Sequence, residues 1–440
     1  MRILFISHYY APEVNAPATR TYEHCVRWAK QGHDVTVMTC NPNCPSGEVY
    51  EGHQNRFLPQ VEMIDGVRVV RLWTYLAANS GKRRRSLNYL TFFMSVLIFG
   101  MFRKRPDVLI ATSPQFFSGL AGTILGWVRR IPTVLEVRDV WPASIEAVGA
   151  MSSKPLLRIL VGLERLMYWL ANHIVTVGPG YKTHIEERTA GKSEITTITN
   201  GVDLDKLSPC EPDQAFLREN NLQNKFVCSY VGTVGMAHGL EVVINAAKIL
   251  KSRKRDDIRF CIVGDGARRE ELEELAHEEG VADYIAFAGL QPKSKIPSVL
   301  SSSDAVLVHL RGCELFSTVI PSKIFEIMAM KRPIIMGVDG VARDIVNEAC
   351  AGVDMTPDDA NQLAGIVERL RDDSDLCAKF SETGRRFVET YYNRDTLAMD
   401  FLSLLHKVAG IEEQRREPIA VPKSTLIVEP AELQRIRSAG

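Results

Sequence analysis

The chain alternates short apolar runs with longer helical stretches, and this alternation starts twice. The predicted strands are residues 2–7, 34–39, 67–72, 107–112, 133–137, 173–178 and 195–200, and then 226–232, 258–264, 284–289, 305–310 and 333–338. Strands that are apolar on both faces and separated by helices form parallel sheets with right-handed crossovers. The pattern therefore predicts an α/β protein with two Rossmann-like units of similar size.

A polar stretch at residues 203–224 separates the two halves. The predicted parts are an N-terminal domain at 1–205, a C-terminal domain at 206–390, a closing helix at 391–410 and a flexible tail at 411–440. We expect the closing helix to pack back on the N-terminal domain. Two sheets that face each other would bind a ligand in the cleft at the carboxyl ends of their strands.

Composition excludes several classes of function. The 440 residues carry a formal net charge of zero, so no bulk field favours nucleic acid as a partner. Of the nine cysteines only Cys40 and Cys44 lie close together, without a second pair at zinc-ligand spacing. We therefore expect no metal site and a reducing compartment. Met1 runs directly into a strand rather than a signal peptide, which favours a cytoplasmic location.

Ser86–Phe102 is a stretch of seventeen residues without a charge, flanked by basic residues at 82–85 and 103–105. It is short for a membrane-spanning helix, and basic clusters on both sides oppose crossing. Three interpretations remain open from the residues alone. The stretch is a core helix of the first domain, an interfacial segment on an anionic membrane or, less in keeping with its length and flanks, a transmembrane span.

Two glycine-rich turns follow strands of the second domain. The first, from Gly232 to Gly239, is expected to open a helix, and the second is Gly264-Asp265-Gly266. Glycines let a backbone approach a ligand closely, and a helix N-terminus offers N–H groups to a phosphate. The first turn is not the dinucleotide fingerprint, and a plain βα turn is the alternative at each position.

The stretch IPSKIFEIMA at residues 320–329 predicts a helix that begins at Pro321, with Lys323 in its first turn. A cation there opposes the helix dipole, and lysine before glutamate is the weaker order for an ion pair. A phosphate near Lys323 and a ribose near Glu326 would explain the arrangement. A surface ion pair between Lys323 and Glu326 is the alternative.

In the first domain, residues 7–20 form a long predicted loop after the first strand. Arg138 and Asp139 follow the fifth predicted strand at its carboxyl end. Such positions line ligand sites in parallel sheets, whereas a structural ion pair between the two residues is the alternative.

Taken together, the motifs GTVGMAHGL, VGDG and IPSKIFEIMAMKRPII and the linker TNGVDLDKLSP resemble the family 4 retaining glycosyltransferases with the GT-B fold. The motifs YYAPEVNAPATR, EVRDVWPAS and LFSTVIPSKIFE are similar to the WbuB-like branch, which includes fucosyl and fucosamine transferases of O-antigen and exopolysaccharide synthesis. The resemblance runs from Met1 to about Gly410.

The resemblance implies a metal-independent enzyme without a cofactor, whose second domain holds a nucleoside-diphosphate sugar. The implied donor-binding residues are Gly232, Thr233, Gly235, His238, Gly264, Asp265, Ser322, Lys323 and Glu326. The implied catalytic residues are Arg138, Asp139 and Lys323, with Asn15 and Arg20 on the acceptor side. A UDP-linked amino sugar such as N-acetyl-L-fucosamine is the implied donor, and the implied acceptor is a polyprenyl-diphosphate-linked saccharide at the inner membrane surface.

The chain also departs from the family pattern. Glu326 matches the second of two family glutamates, but Thr318 stands where the first is expected, and Glu314 is the nearest alternative. The glycine-rich turn lacks the Arg and Lys that many members place beside it, which leaves Lys323 and Arg311 to hold the diphosphate. These departures keep two other hypotheses open: a nucleotide-sugar 2-epimerase, and a non-catalytic assembly subunit on the membrane.

Overall fold

The computed structural model describes residues 1–44, 46–77, 82–113, 115–143, 153–191, 193–313, 316–317 and 319–411. These residues divide into two units. The first contains Met1–Asn200 and residues 394–411, and the second contains Gly201–Asn393. The first boundary thus lies after Asn200 rather than after residue 205. Residues 412–440, which hold nearly all of the predicted tail, lie outside the described part.

The sheet of the first unit has eight strands in the order β3-β4-β2-β1-β5-β6-β7-β8 among the described residues. The strands are β1 Arg2–Ile6, β2 Asp34–Cys40, β3 Gln60–Ile64, β4 Val67–Leu72, β5 Val108–Thr112, β6 Thr133–Val137, β7 His173–Thr176 and β8 Ile195–Thr197. Strand β3 pairs antiparallel with β4 at the edge, and the other pairs are parallel. The predicted parallel sheet is confirmed, with one antiparallel strand added at its edge that was not among the predicted strands. The alternation in QVEMI marks an edge strand with one face in solvent.

The helices of this unit are α1 Ala16–Lys30, α2 Lys82–Met101, α3 Phe116–Arg129, α4 Lys154–Leu170, α5 Pro179–Thr189 and the C-terminal α14 Arg394–Ala409. Helix α14 packs on α1, where the Trp28 Nε1–H donates to the Ala398 carbonyl (2.8 Å) and Phe401 meets the Trp28 ring edge-on. The last helix therefore completes the core of the first unit.

Helix α2 contains all of the uncharged stretch Ser86–Phe102 except its last residue. One face packs into the core through Phe92 and Val96, which are buried, while Leu90 and Met94 on the other face are exposed. The helix thus covers the core and still presents an apolar surface. Across the described ranges, no helix combines the length and the apolar character needed to cross a membrane.

The sheet of the second unit has six parallel strands in the order β11-β10-β9-β12-β13-β14 among the described residues. They are β9 Phe226–Val231, β10 Ile258–Val263, β11 Ile285–Gly289, β12 Ala305–His309, β13 Ile334–Gly337 and β14 Gly352–Asp354. The helices are α6 Gln214–Glu219, α7 Glu241–Ser252, α8 Arg269–Glu278, α9 Ile296–Ser301, α10 Lys323–Ala329, α11 Val341–Glu348, α12 Ala360–Asp372 and α13 Ser374–Tyr391.

Two local expectations need correction. The first glycine-rich turn does not open a helix directly, because a 3₁₀ turn at Met236–His238 intervenes and α7 begins at Glu241. Helix α10 begins at Lys323, with Ser322 as its N-cap, rather than at Pro321. The short β14 was absent from the predicted strands. Its three residues are too few to give a periodic pattern.

Candidate active site

The two glycine-rich turns of the second unit pack directly on each other because β9 and β10 are neighbours in the sheet. The Gly232 amide donates to the Val263 carbonyl (2.9 Å), and the Val234 amide donates to the Asp265 carbonyl (2.9 Å). Gly264 has φ +139°, and a Cβ there would lie 1.8 Å from the Gly232 carbonyl oxygen. Only glycine fits at Gly264, since the clash would be with backbone.

Lys323 reaches this pair of turns from α10. Its Nζ lies 4.3 Å from the centroid of the Tyr230 ring and 2.5 Å from where a Cβ on Gly232 would stand. Burial lowers the pKa of Lys323 from 10.5 to about 8, and the nearby Glu326 opposes that shift. The fold therefore brings together the lysine and the glycine turn that the sequence singled out.

Lys323 is not an exposed cation of the kind that a surface pair with Glu326 requires, although the nearby charge of Glu326 favours its protonated form. The cation is instead half-buried over an aromatic face, an arrangement that stabilises charge only partly. Ser322 is exposed and caps nothing with its side chain, and Glu326 is half-buried one turn along α10. An anion near Lys323 would complete the charge balance.

His238 sits in the 3₁₀ turn with its ring 6.0 Å from that of Tyr230. Burial, and next the charge of Lys323, lower the pKa of His238, so the ring is neutral at pH 7. Its Nδ1 is buried and makes no hydrogen bond of good geometry among the described residues, although the nearby Gly235 backbone opposes the lowering of the ring's pKa. A neutral ring with one nitrogen unsatisfied is suited to a hydrogen bond with a ligand.

Several residues that the sequence did not single out brace the first turn. The Asp358 amide donates to His309 Nε2 (2.9 Å), so the proton lies on His309 Nδ1, which donates to the His238 carbonyl (2.7 Å). His309 ends β12, at the strand edge where ligand sites lie. Its position at the end of a predicted strand is the sequence feature that could have identified His309.

Arg311 was considered for the diphosphate, but the structure gives it a bracing role. Its Nε donates to the Met236 carbonyl (2.8 Å), and its Nη2 pairs with Glu241 (2.6 Å). Arg268 pairs with the same carboxylate oxygen of Glu241 (2.7 Å). The guanidinium of Arg311 thus fixes the turn that carries His238.

Asp265 and Thr233 stabilise the turns through local hydrogen bonds. Asp265 Oδ1 accepts from the Gly266 amide (2.8 Å), and the Thr233 carbonyl accepts from the Tyr230 hydroxyl (2.7 Å). The side chain of Thr233 is exposed, and Gly235 leaves room beside the His238 ring. Glu314 and Thr318, the two candidates for the first family glutamate, lie outside the described residues.

In the first unit, Arg20 is buried, and each of its three guanidinium nitrogens donates a hydrogen bond. Nε pairs with the buried Glu136 (2.9 Å), while Nη1 and Nη2 donate to the Thr199 and Ile198 carbonyls (2.7 and 2.8 Å). Such a pair holds α1 against β6 and the end of the unit, so the structure gives Arg20 a positioning role. Asn15 is the N-cap of α1, accepting from the Ala18 amide (2.9 Å).

Arg138 and Asp139 form no ion pair with each other, so that alternative was also wrong. Arg138 donates to the carbonyls of Ala16 and Pro17 (3.1 and 3.3 Å) at the start of α1. Its pKa is lowered to about 10, first by burial and also by Arg20. Asp139 is half-buried, and its carboxylate has no hydrogen-bond partner in the ranges described.

Glu13 is a further buried acid that the sequence did not flag. Its Oε1 accepts from the amides of Asn43 and Cys44 (both 2.9 Å), and burial raises its pKa. It therefore orders the loop that follows β2, close in sequence to Asn15. Among the described residues, no group of three His, Cys, Asp or Glu is arranged to hold a metal.

Comparison with known proteins identifies the family. The "Glycosyl transferase 4-like domain" matches residues 15–201, and "Glycosyl transferases group 1" matches residues 213–387. The chain belongs to the family 4 glycosyltransferases. A relative of this glycosyltransferase in Escherichia coli K12, the "Putative colanic acid biosynthesis glycosyl transferase WcaI", is 24% identical over 420 residues, covering 92% of this chain and 99% of the relative.

Solved structures agree on the fold of the glycosyltransferase. Sucrose-phosphate synthase from Thermosynechococcus elongatus superposes with a TM-score of 0.70 at 16% identity, covering 93% of this chain and 99% of that one. HepE from Anabaena in complex with UDP gives a TM-score of 0.65 at 16% identity, covering 92% and 100%. The fold is GT-B, with one parallel-sheet α/β unit matched by each of the two family domains.

Proposed function

We propose that this glycosyltransferase takes a sugar from a UDP-linked donor held by its second unit and transfers it with retention of configuration. The observation that carries the proposal is Lys323, a half-buried cation that lies over the Tyr230 ring and against the backbone of Gly232. A diphosphate is the ligand that this pairing of cation and open backbone suits. The structure of Anabaena HepE with UDP supports uracil as the base.

The chemistry follows from the charges. The bond between the anomeric carbon and the diphosphate oxygen breaks, and the acceptor hydroxyl forms the new glycosidic bond on the same face. Negative charge that develops on the leaving diphosphate is stabilised by Lys323 and by the amides of the glycine turns. The leaving phosphate oxygen takes the proton of the acceptor hydroxyl. Because Lys323 supplies the positive charge, we expect turnover without a divalent metal and without a cofactor.

His238 and Glu326 complete the donor side of the proposal. The unsatisfied His238 Nδ1 is available for a donor hydroxyl or phosphate oxygen, and Glu326 for the ribose hydroxyls. On the acceptor side, Arg138 and Asp139 are proposed to bind the acceptor sugar. Asn15 and Arg20 would shape that side through α1, which they cap and anchor.

For the acceptor we propose a polyprenyl-diphosphate-linked saccharide of bacterial surface polysaccharide synthesis, as in the WbuB-like branch, with an amino sugar such as N-acetyl-L-fucosamine transferred. The similarity to an E. coli glycosyltransferase named for colanic acid biosynthesis supports a polysaccharide product. The exposed apolar face of α2 supports a membrane-linked acceptor. The protein would then act on the cytoplasmic face of the inner membrane through Ser86–Phe102.

Thermal unfolding against UDP, GDP, dTDP, CDP and ADP tests the donor assignment. A ligand at a hundred times its dissociation constant stabilises by about 2.7 kcal/mol, a readily measured shift. We expect UDP to raise the unfolding temperature most, and chelation of metals to leave that shift unchanged. Folded protein that responds to none of the five diphosphates would contradict the proposal and favour a non-catalytic subunit.

Product analysis by NMR tests the reaction. With a UDP-sugar and a lipid-linked acceptor, we expect a glycoside with the anomeric configuration of the donor. An inverted product would exclude retention. Conversion of the nucleotide sugar at carbon 2 in the absence of acceptor would instead identify an epimerase.

A further inference from the structure

A cavity of about 470 Å³ lies in the first unit at the amino-terminal edge of its sheet, where β1 and β2 begin. This edge is opposite to the carboxyl ends of the strands, where Arg138 lies. The cavity's charged and aromatic lining consists of Arg2, Arg68, Arg103, Lys104, Asp34 and Phe102. Four cations and one carboxylate thus face a space that the proposed glycosyl transfer does not use.

The positive charges of this cavity are only partly compensated. Arg2 pairs with Asp107 (3.1 Å), and Arg68 meets Asp34 at 3.5 Å across an exposed edge. The side chains of Arg103 and Lys104 make no hydrogen bond or ion pair within the described ranges. Burial, and then the charge of Arg68, lower the pKa of Arg103. Two cations therefore remain without an anion.

Neighbouring basic residues do have partners, which sets Arg103 and Lys104 apart. Arg129, at the end of α3, donates from Nη1 and Nη2 to the carbonyls of Gly100 and Arg103 (both 2.8 Å). Arg105 donates to the Arg130 carbonyl. These contacts join the C-terminal ends of α2 and α3, and they leave the charges on Arg103 and Lys104 to the cavity.

An apolar surface leads along α2 to the same cavity. Its exposed large side chains recur every three or four residues at Leu87, Leu90, Met94, Ile98 and Met101, and Phe102 follows directly at the cavity wall. Phe102 is 86% exposed, and Trp127 at the adjoining end of α3 is 61% exposed. Contiguous exposed apolar side chains on a protein surface mark sites of interaction.

We propose that the cavity binds the phosphate of an anionic phospholipid, whose acyl chains lie along the exposed stripe of α2. A phosphodiester matches two unpaired cations, and guanidinium groups bind phosphate oxygens in a fixed geometry. The apolar stripe beside the cations is the pattern of an interfacial membrane surface on an anionic leaflet. The inference rests on the membrane contact proposed above and names the residues that make it selective for anionic lipid.

Vesicle co-sedimentation of the full-length protein tests this site. Vesicles of phosphatidylcholine alone are compared with vesicles that also contain phosphatidylglycerol, for the wild type, Arg103→Gln and Lys104→Gln. We expect the wild type to prefer the anionic vesicles, and each substitution to weaken that binding roughly fivefold. Unchanged thermal unfolding and an unchanged response to UDP show that the variants are folded.

The matched control is Arg84→Gln, which removes the same charge from the opposite end of α2, where Arg84 is exposed. We expect it to weaken vesicle binding clearly less than Arg103→Gln does, because Arg84 flanks the uncharged stretch but does not line the cavity. Equal losses in Arg84→Gln and Arg103→Gln would show a diffuse charge effect and overturn the site, as would wild-type binding that ignores phosphatidylglycerol.

A second measurement separates the lipid from a free anion. Glycerol 3-phosphate is titrated by calorimetry into the wild type and into the three variants Arg103→Gln, Lys104→Gln and Arg84→Gln. Tight binding of this soluble phosphate, together with vesicle binding that Arg103→Gln does not change, would overturn the lipid assignment. If UDP does not shift the unfolding temperature but the wild type still prefers anionic vesicles and Arg103→Gln still weakens that binding, the proposed donor is contradicted and the lipid site is supported.

Discussion

At the scale of single residues, Lys323 couples stability to donor binding. Its pKa in the folded protein is about 8, against 10.5 in an unfolded chain. Between those values the unfolded chain binds more protons, so the free energy of unfolding rises with pH across that window, and below pH 8 the charged lysine destabilises the unliganded fold. The residue is therefore better explained by a ligand than by the fold.

Replacing the lysine with an uncharged side chain of similar length separates these effects. We expect Lys323→Met to stabilise the unliganded protein at pH 7 by about 1–2 kcal/mol, after allowance for partial exposure, and to abolish the UDP-induced shift. Urea unfolding with and without UDP measures both quantities. A destabilised variant that still responds to UDP would show that Lys323 is a structural residue.

The pH dependence of UDP binding gives a second prediction. With a pKa of about 8, the protonated fraction of Lys323 falls about tenfold from pH 7 to pH 9, and we expect UDP affinity to fall by a similar factor. Calorimetric titration across this range measures it. Lys323→Arg is the control, since arginine stays charged and should give a flat profile over this interval. Parallel profiles for lysine and arginine would assign the titration to another group.

At the scale of elements, the site depends on two turns that only glycine can bring together. We expect Gly264→Ala to destabilise the second unit by roughly 3 kcal/mol or more, because its Cβ would overlap the Gly232 carbonyl oxygen. Gly365→Ala is the matched control. Gly365 is exposed within α12 with nothing within 4 Å of an added Cβ, and the change should stabilise by about 0.5–1 kcal/mol.

Urea unfolding followed by circular dichroism measures both glycine variants. If Gly264→Ala unfolds at the wild-type midpoint, the turns rearrange without cost and the close packing of Gly264 on Gly232 is not essential. In that case, UDP binding by the variant would show whether the donor side tolerates the change.

At the scale of the whole molecule, the chain enters the second unit after Asn200 and returns to the first at Arg394. Helix α14 buries Phe401, Leu402 and Leu405 in the core of the first unit. Side chains of this size contribute about 1.5–3 kcal/mol each on burial, a large part of the 5–15 kcal/mol that stabilises a typical domain.

A chain that ends at residue 393 tests this organisation. We expect scanning calorimetry to show the transition of the first unit lost or shifted to much lower temperature. The transition of the second unit and its response to UDP should remain. A chain that ends at residue 411 is the control and should keep both transitions. Loss of both transitions in the shorter chain would show that the second unit does not fold independently.

The sequence by itself determined the two α/β units, because strands buried on both faces must be continuously apolar, and that pattern is local. It also located the glycine turns, Lys323 and Glu326, because glycines after a predicted strand and a lysine at the start of a predicted helix can be recognised from the order of the residues. The antiparallel β3 and the short β14 escaped, because an edge strand and a three-residue strand carry little periodic signal.

Only the tertiary structure decided which charges have partners. The sequence offered Arg138–Asp139 as an ion pair, but Arg138 donates instead to the carbonyls of Ala16 and Pro17. Arg20 pairs with Glu136 across 116 residues of chain. Likewise, the order of the strands in each sheet determines which residues surround His309, Arg311 and the cations of the β1–β2 edge. Coulomb interactions depend on distance in space and on burial, and neither quantity is written in the order of the residues.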